Sequence, residues 1–534
     1  MDIFDRILRR LKQEFNLQFN RLQIWRIMRS ISDELKINEK SPVIFFNAST
    51  RLSGLSQNAG FSLISSLALR KNKIPTLHFV CNRGLRPCVL GTDKNDPAKE
   101  PPCQECIRTS RLVLGKSNIH YYSFKIDEDV SRETNDLNLD QLLVYIHKDI
   151  PLGKLVLPSI RWILRKHHLE DNKKNRVLAQ SYIQSAWGVF REFSKLIDSV
   201  HPQSVVVFNG MFYPEAMARL AARQKNVPVF SHEVGMLPYS AFFTEKEATA
   251  YPVDVDDEFR LSKDQEIRLD NYLANRFKGK FQTAGVQFWS EMRYFSNDFL
   301  KETTKYSAVV PIFTNVIFDT SQSHANTFFK HMFAWLNLVI EEVKLHPEIL
   351  FVIRAHPDEI RPGKESRESV SEWVTKNGIK EISNIIFIPP DEFISSYELI
   401  KRAKFVMVYN STIGLEASIM GKPVLCAGKA RYTQVPTVFF PESKEAYRQL
   451  FEKFLESDKV EQPEILMKNA RRVLYSQLFR ASLPFDQFLT EDGVWQGYVR
   501  LKNFSPELLI QGHSETIDVV LNGIIKNQTF IREI

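Results

Sequence analysis

The chain has 534 residues, 43% apolar and 25% charged, with 71 Lys and Arg against 63 Asp and Glu and a formal net charge of +8. That length exceeds one ordinary core, so two or more domains are expected, and the composition excludes disorder. The modest positive excess suits an anionic ligand or a membrane surface and, without basic clustering, argues against a dedicated duplex-binding protein. No apolar stretch approaches the roughly 18–20 residues of a spanning helix, and the N-terminus is broken by Arg and Lys where a signal peptide needs an apolar core. A cytoplasmic location is expected, with the five cysteines reduced or bound to metal.

Residues 2–35 predict a helix. Phe4, Leu8, Leu11, Phe15, Phe19 and Leu22 recur at three- and four-residue steps, continued by Trp25, Met28 and Ile31. Arg6, Arg9, Arg10, Arg21, Arg26 and Arg29 lie between them. Such a basic amphipathic helix either packs on its own domain or lies in a membrane interface. The N-terminal segment is therefore set at 1–40.

From Pro42 onward, short apolar runs alternate with helical patterns. "VIFFNAS" (43–49), "PTLHFVC" (75–81), "SVVVFNG" (204–210) and "VPVFSHE" (227–233) read as strands. Helices are expected near 60–71, 176–198 and 214–225. Alternation of this kind predicts a parallel sheet covered on both faces, here spanning 41–240. Within it, Cys81, Cys88, Cys103 and Cys106 form C-x6-C-x14-C-x2-C in a Gly- and Pro-rich insertion at 81–106. Four thiols closing on C-x2-C suit tetrahedral structural zinc. An iron–sulfur cluster uses the same ligands, and unmetallated thiols are the remaining alternative. No organic cofactor is expected.

Residues 241–305 show no clear strand and read as a helical connector. A second alternating series fills 306–480, with strands at 307–319, 350–357, 384–390, 405–410 and 422–426. The last segment, 481–534, is expected to pack back on the domains. Two Rossmann-like series joined by a connector make two α/β domains facing a cleft, and ligands in such sheets bind at the strands' carboxyl ends.

Several polar residues stand at those ends. In "VMVYNSTIGLEASIMGKPVLC" (406–426), Asn410, Ser411 and Thr412 form a strand-to-helix corner where amides and hydroxyls can meet a phosphate. Helix capping is the plain alternative. Glu416 is out of register for a capping box, because the residues three after Ser411 and Thr412 are Gly414 and Leu415. "RAHP" (354–357) ends a companion strand, and Arg354 and His356 suit the same anion. Asn315 and Asp319 follow the first strand of this series. In the first domain, "SHEVG" (231–235) places His232 and Glu233 at a strand end, either of which has the chemistry of a general base; both are also common solvated loop residues.

"FVIRAHPDE" together with the 406–426 segment resembles bacterial capsule polysaccharide biosynthesis proteins and related GT-B glycosyltransferases; "VVVFNGMFYPEAMARLAARQKNVPVFSHEVG" resembles their N-domain more loosely. The resemblance implies two Rossmann-like domains, with a nucleotide-activated sugar in the second. It implies that His356 and Ser411 or Thr412 hold the donor phosphate and that Glu416 faces ribose or sugar hydroxyls. The expected function is therefore transfer of a sugar, of hexosyl or Kdo type, to a cell-surface or capsular glycan. The N-terminal helix would bring the enzyme to a lipid-linked acceptor at the inner face of the plasma membrane, and no nucleic-acid partner is expected. The alternatives are a sugar-nucleotide epimerase or hydrolase of the same fold, and a zinc-knuckle nucleic-acid-binding protein.

Overall fold

The computed structural model of the protein describes residues 3–31, 40–47, 54–96, 99–115, 118–278, 295–392 and 394–534. Residues 32–35 of the expected helix, 48–49 of the expected first strand and 279–294 of the expected connector lie outside them.

Two parallel sheets organise the chain. In the first, the parallel strands run in the spatial order Val229–Val234, Ser204–Phe208, Val43–Asn47, Thr76–Cys81, Asn118–Tyr122. In the second the order is Ile385–Ile388, Ile349–Arg354, Ala308–Phe313, Val406–Val408, Val424–Cys426. Both are the 3-2-1-4-5 order of doubly wound folds, so each has a switch point beside its first strand, where connections leave in opposite directions. The chain thus has the two Rossmann-like halves expected of a GT-B-like fold.

Alternation along the strands builds a core on each sheet face. In the first sheet Ile44, Phe46, Phe79 and Val207 face one apolar cluster, and Val43, Phe45, Val80 and Val206 face another. In the second, Val310, Ile312, Phe351 and Met407 face one side, and Val309, Leu350, Val352 and Val408 the other. Burial on both faces explains why these strands read as continuous apolar runs.

Two expectations change. Ser240–Thr244, placed in the connector from sequence, is a strand lying antiparallel to Val229–Val234. Its outer edge is covered by Leu483–Pro484. The chain's end then builds more of the first half: Tyr498–Leu501 pairs with Leu489–Glu491 and Leu55–Ser56. Ile517, Val520 and Leu521 of the Glu515–Lys526 helix join the cluster holding Ile64 and Leu67, and Phe530 stacks on Phe243 at 5.4 Å.

The second change concerns the N-terminal helix, Ile3–Arg29. The first part of the apolar stripe read from the sequence faces solvent, with Phe4, Leu11 and Phe15 each 64% exposed and Leu8, Leu22 and Trp25 exposed as well, whereas Met28 and Ile31 pack on the first half. The packed face carries Leu17, Ile24 and Ile27 among the polar Asn16, Asn20 and Gln23. Two of those amides are satisfied by main chain from the C-terminal segment, while Gln23 Oε1 accepts from the Arg26 guanidinium at 3.2 Å. Asn16 Nδ2 donates to Asp492 O at 2.9 Å, and Asn20 Oδ1 accepts from Leu501 N–H at 2.8 Å. The helix therefore has two apolar faces and uses one.

Candidate functional site

The carboxyl ends of both sheets border one cavity of about 1390 Å³, lined from each half. On the second half, Asn315 follows the first strand and Asn410 follows the fourth, so the two flank the switch point. Asn410 N–H donates to Asn315 Oδ1 at 3.4 Å, and Asn410 Oδ1 accepts from Gln322 Nε2 at 3.1 Å. Ser411 and Thr412 also line the cavity, although Ser411 is largely buried. Neither is consumed in capping. Thr412 has helical torsions and makes no side-chain capping bond to the Ile413–Ile419 helix. The capping alternative therefore does not account for the Thr412 hydroxyl.

His356 lines the same wall. Its Nδ1 accepts from Asp358 N–H at 3.1 Å, capping the short Pro357–Ile360 turn. With Nδ1 so engaged, the neutral ring carries its proton on Nε2 and can donate to an oxyanion. Burial lowers its pKa, against the pull of Asp358 and Asp319, and so favours that neutral donor. Asp319, exposed at the cavity wall, accepts from Ser321 N–H at 2.8 Å through Oδ1.

Two sequence candidates stand elsewhere. Arg354 is buried beneath the wall, donating to Pro389 O at 3.0 Å, and burial pushes its pKa down to about 10. Glu416 is engaged by the protein itself. Arg276 Nε and NH2 approach its Oε1 at 2.7 and 2.6 Å, and Tyr397 donates to Oε2 at 2.6 Å. It is 3% exposed and off the cavity wall. The acid expected to face sugar hydroxyls instead fastens the Lys263–Phe277 connector helix to the second half.

Across the cleft, Glu233 is on the wall and His232 behind it. Strand alternation separates them. The Glu233 carboxylate accepts from Asn58 Nδ2 at 2.8 Å, Asn209 Nδ2 at 3.1 Å and its neighbour Val234 N–H at 2.9 Å. Asn209 is held at φ +62°, followed by Gly210 at +84°, and its Oδ1 accepts from Met211 and Phe212 N–H. That left-handed corner is costly for a residue with a side chain, and it turns the amide nitrogen toward Glu233. His232 Nδ1 lies 3.3 Å from Asn58 Oδ1, between Phe208 and Phe243, and burial alone depresses its pKa to about 3. It does not reach the cavity and acts only through Asn58.

Reading the sequence overlooked several cavity residues, Asn58 among them. Lys429 and Arg431 follow the last parallel strand, and His324 lies on a short turn, bonded by Nε2 to Thr249 Oγ1 across the cleft at 2.9 Å. Arg431 stacks over Tyr251 at 4.4 Å. The available signal was "AGKAR" (427–431), a Gly and two cations past a buried strand.

The cysteine set is placed together at the far end of the first sheet. Cys81 ends the Thr76–Cys81 strand, while Cys103 and Cys106 open the Cys103–Leu114 helix. Burial, with the neighbouring thiols adding to it, raises Cys88 and Cys106 to about 12.

Residues 258–436 match the family model for capsule polysaccharide biosynthesis proteins. That range contains the "FVIRAHPDE" and 406–426 segments on which the resemblance rests, and the looser N-domain segment lies outside it. The match runs from the segment before the connector helix through Arg431, and so contains every second-half cavity residue named above. A curated relative, Protein FixF of Sinorhizobium fredii (strain NBRC 101917 / NGR234), is 32% identical over 103 residues, which is 19% of this chain and 22% of FixF. The match thus spans about a fifth of that relative's length. Among solved structures, Thermosulfurimonas dismutans KpsC, a beta Kdo 2,4 transferase, is 12% identical over 51% of this chain and 79% of its own, with a TM-score of 0.33. The UDP-GlcNAc 2-epimerase of Neisseria meningitidis is 14% identical over 82% and 98%, with a TM-score of 0.22. Likenesses at these scores carry no argument about this chain.

Replacing Glu416 by Ala strands the buried Arg276 guanidinium. We expect a loss of about 3–5 kcal/mol in stability, read by chemical unfolding. Nucleotide affinity of the folded fraction should stay at the wild-type value; a selective loss of affinity without destabilisation would return Glu416 to the binding site.

Proposed function

We propose that the protein is a glycosyltransferase of capsular or cell-surface polysaccharide synthesis, using a nucleotide-activated sugar bound in the cleft. The observation that carries this reading is the convergence of uncommitted donors at the second half's switch point. The Ser411 and Thr412 hydroxyls and the His356 Nε2–H stand there with the Lys429 and Arg431 cations. Such a set matches a diphosphate or phosphate ester, whose charge grows as the sugar–phosphate bond breaks. Donors already in place for that charge supply the larger share of rate acceleration.

On the opposite wall Glu233, unlike His232 of the same motif, has access to the cleft. Two side-chain amides and a main-chain amide fix its carboxylate, so that it can take a proton from an acceptor hydroxyl as the new glycosidic bond forms. His232 is a positioning residue behind Asn58. The class of sugar, hexosyl or Kdo, depends on contacts further along the cleft.

The acceptor end of the reading rests on the N-terminal helix. Its unused apolar face is accompanied by Arg6, Arg9, Arg10, Lys12, Arg21, Arg26 and Arg29 against only Asp5 and Glu14. Among the described residues no helix is long and apolar enough to cross a membrane. An apolar stripe with a cationic surround fits the interface of an anionic lipid leaflet, where a lipid-linked acceptor would be found.

Three outcomes follow. In a thermal-shift series with CMP, CDP, UDP and GDP, one nucleotide should stabilise the protein selectively; His356→Ala or Ser411→Ala should each remove roughly 1.5–3 kcal/mol of its binding. No shift with any of the four would sink the donor-site reading. Glu233→Gln should lower kcat by on the order of 10²–10⁴ while nucleotide binding is retained, and undiminished turnover would exclude it as the base. In co-sedimentation at low salt, the protein should pellet with phosphatidylglycerol vesicles and not with phosphatidylcholine. The double variant Phe4→Asp, Leu11→Asp should stay in the supernatant; equal pelleting of variant and wild type would refute the lipid contact.

A further inference from the structure

The cysteines of the first half stand outside the cleft chemistry, yet their surroundings repeat a pattern. Gly84 N–H donates to Cys81 Sγ at 3.2 Å, and Gly91 N–H donates to Cys88 Sγ at 3.2 Å. Each is a C-x2-G loop folded back on its own sulfur. The glycines are sterically required. A Cβ on Gly84 would lie 2.1 Å from the Tyr122 ring and 2.7 Å from Tyr122 O, and one on Gly91 would lie 2.7 Å from Cys88 Sγ. Main-chain amides aimed at sulfur are the outer contacts that orient a metal-bound thiolate. The other two cysteines sit three residues apart in the first turn of the twelve-residue Cys103–Leu114 helix, on one face and at its positive end.

What this cluster anchors lies on the far side of the seam between the halves. Residues 88–96 form an arm. Thr92 Oγ1 donates to Cys88 O at 2.6 Å and bonds to the Tyr182 hydroxyl at 3.1 Å, and Asp93 turns the chain by accepting from Asn95 N–H at 2.9 Å. At the arm's tip Lys94 Nζ meets Glu365 at 2.8 Å. Arg367 of the second half donates to Lys94 O at 2.9 Å and also bonds Asn95 Oδ1. Leu90, at the root of the arm, lines the cleft.

We propose that Cys81, Cys88, Cys103 and Cys106 bind one structural zinc ion, and that this ion fixes the root of the arm tying the two halves together. Four thiolates on two glycine loops and a helix start suit a closed tetrahedral site with no open position for chemistry. No three of the sulfurs yet lie within 4.8 Å of one another; among the described residues that spacing is met by His167, His168 and His331. Ligation therefore draws the helix start onto the two loops. The histidine trio is the weaker candidate, because His331 Nδ1 already accepts from Ala334 N–H and so keeps the proton on the nitrogen a metal would need. The zinc assignment is independent of the transferase reading and has its own readout.

The test is elemental analysis and cobalt substitution on the full chain. Purified protein should carry about one zinc per chain, released by a thiol-modifying reagent, and cobalt in its place should give intense thiolate-to-metal absorption. Cys103→Ser with Cys106→Ser should abolish both signals. In wild-type protein stripped of zinc, amide exchange across 88–96 should rise, and it should return to the starting level when zinc is restored. Wild-type protein that stays below about one-tenth of an equivalent after reconstitution would overturn the site, whether or not the variant folds. Iron with inorganic sulfide would overturn the zinc assignment in favour of a cluster.

Discussion

A parallel strand has a direction, and the arrangement of this protein follows from aligning ten of them in two sets of five. Within each sheet every carboxyl end opens on the same edge. The 3-2-1-4-5 order then separates the connections at one point on that edge and leaves a gap that side chains from two loops can line. Setting two such edges opposite each other gives a cavity whose walls are supplied by different halves. Asn315, Asn410, Ser411 and His356 come from one wall, and Asn58, Asn209 and Glu233 from the other. None of these contacts is local in sequence. They coincide because strand direction leaves the loops nowhere else to meet.

Holding the halves in that relation falls to a few charged contacts away from the cavity. Arg276 and Glu416 join the connector helix to the second half in a nearly dry setting, with side chains 11% and 4% exposed. On the seam, Glu368 accepts the amides of His167 and His168 at 2.8 and 2.9 Å, and the Lys94–Glu365 pair lies alongside. The buried pair is costly to break from one side, because the remaining charge has no water to return to. The exposed pairs contribute little singly and matter as registration.

Much of the fold was legible because both sheets are buried on both faces. Runs such as "VIFF", "VVVF", "LFVIR" and "FVMV" can hardly be anything but interior strands, and the polar residues at their ends mark the cleft. Ser240–Thr244 was missed because its pairing partners are a strand just upstream and a segment 240 residues on, and nothing local signals an edge being covered. The N-terminal helix misled by its own regularity. Periodicity reports that an apolar face exists without saying what covers it, and the face that packs is disguised by Gln23 and by Asn16 and Asn20, the last two taking their partners from main chain near 492–501. Glu416 shows the same gap. Its misfit to a capping box is readable, whereas its true partner lies 140 residues earlier on a helix with no motif. Lys429 and Arg431 sit on an irregular loop where only the strand's end gives them position.

The strand Leu483–Pro484 and the helix Glu515–Lys526 have a consequence for how the molecule is made. They complete the sheet edge and core of the first half, yet they are translated only after the whole of the second sheet. The second sheet, by contrast, is drawn from one uninterrupted stretch. In vectorial synthesis the later half is whole while the earlier one still lacks an edge strand and the partner of Phe243. Of the two halves, the earlier to be translated is therefore the later to be finished, and closure of the cleft waits on residues 483–526.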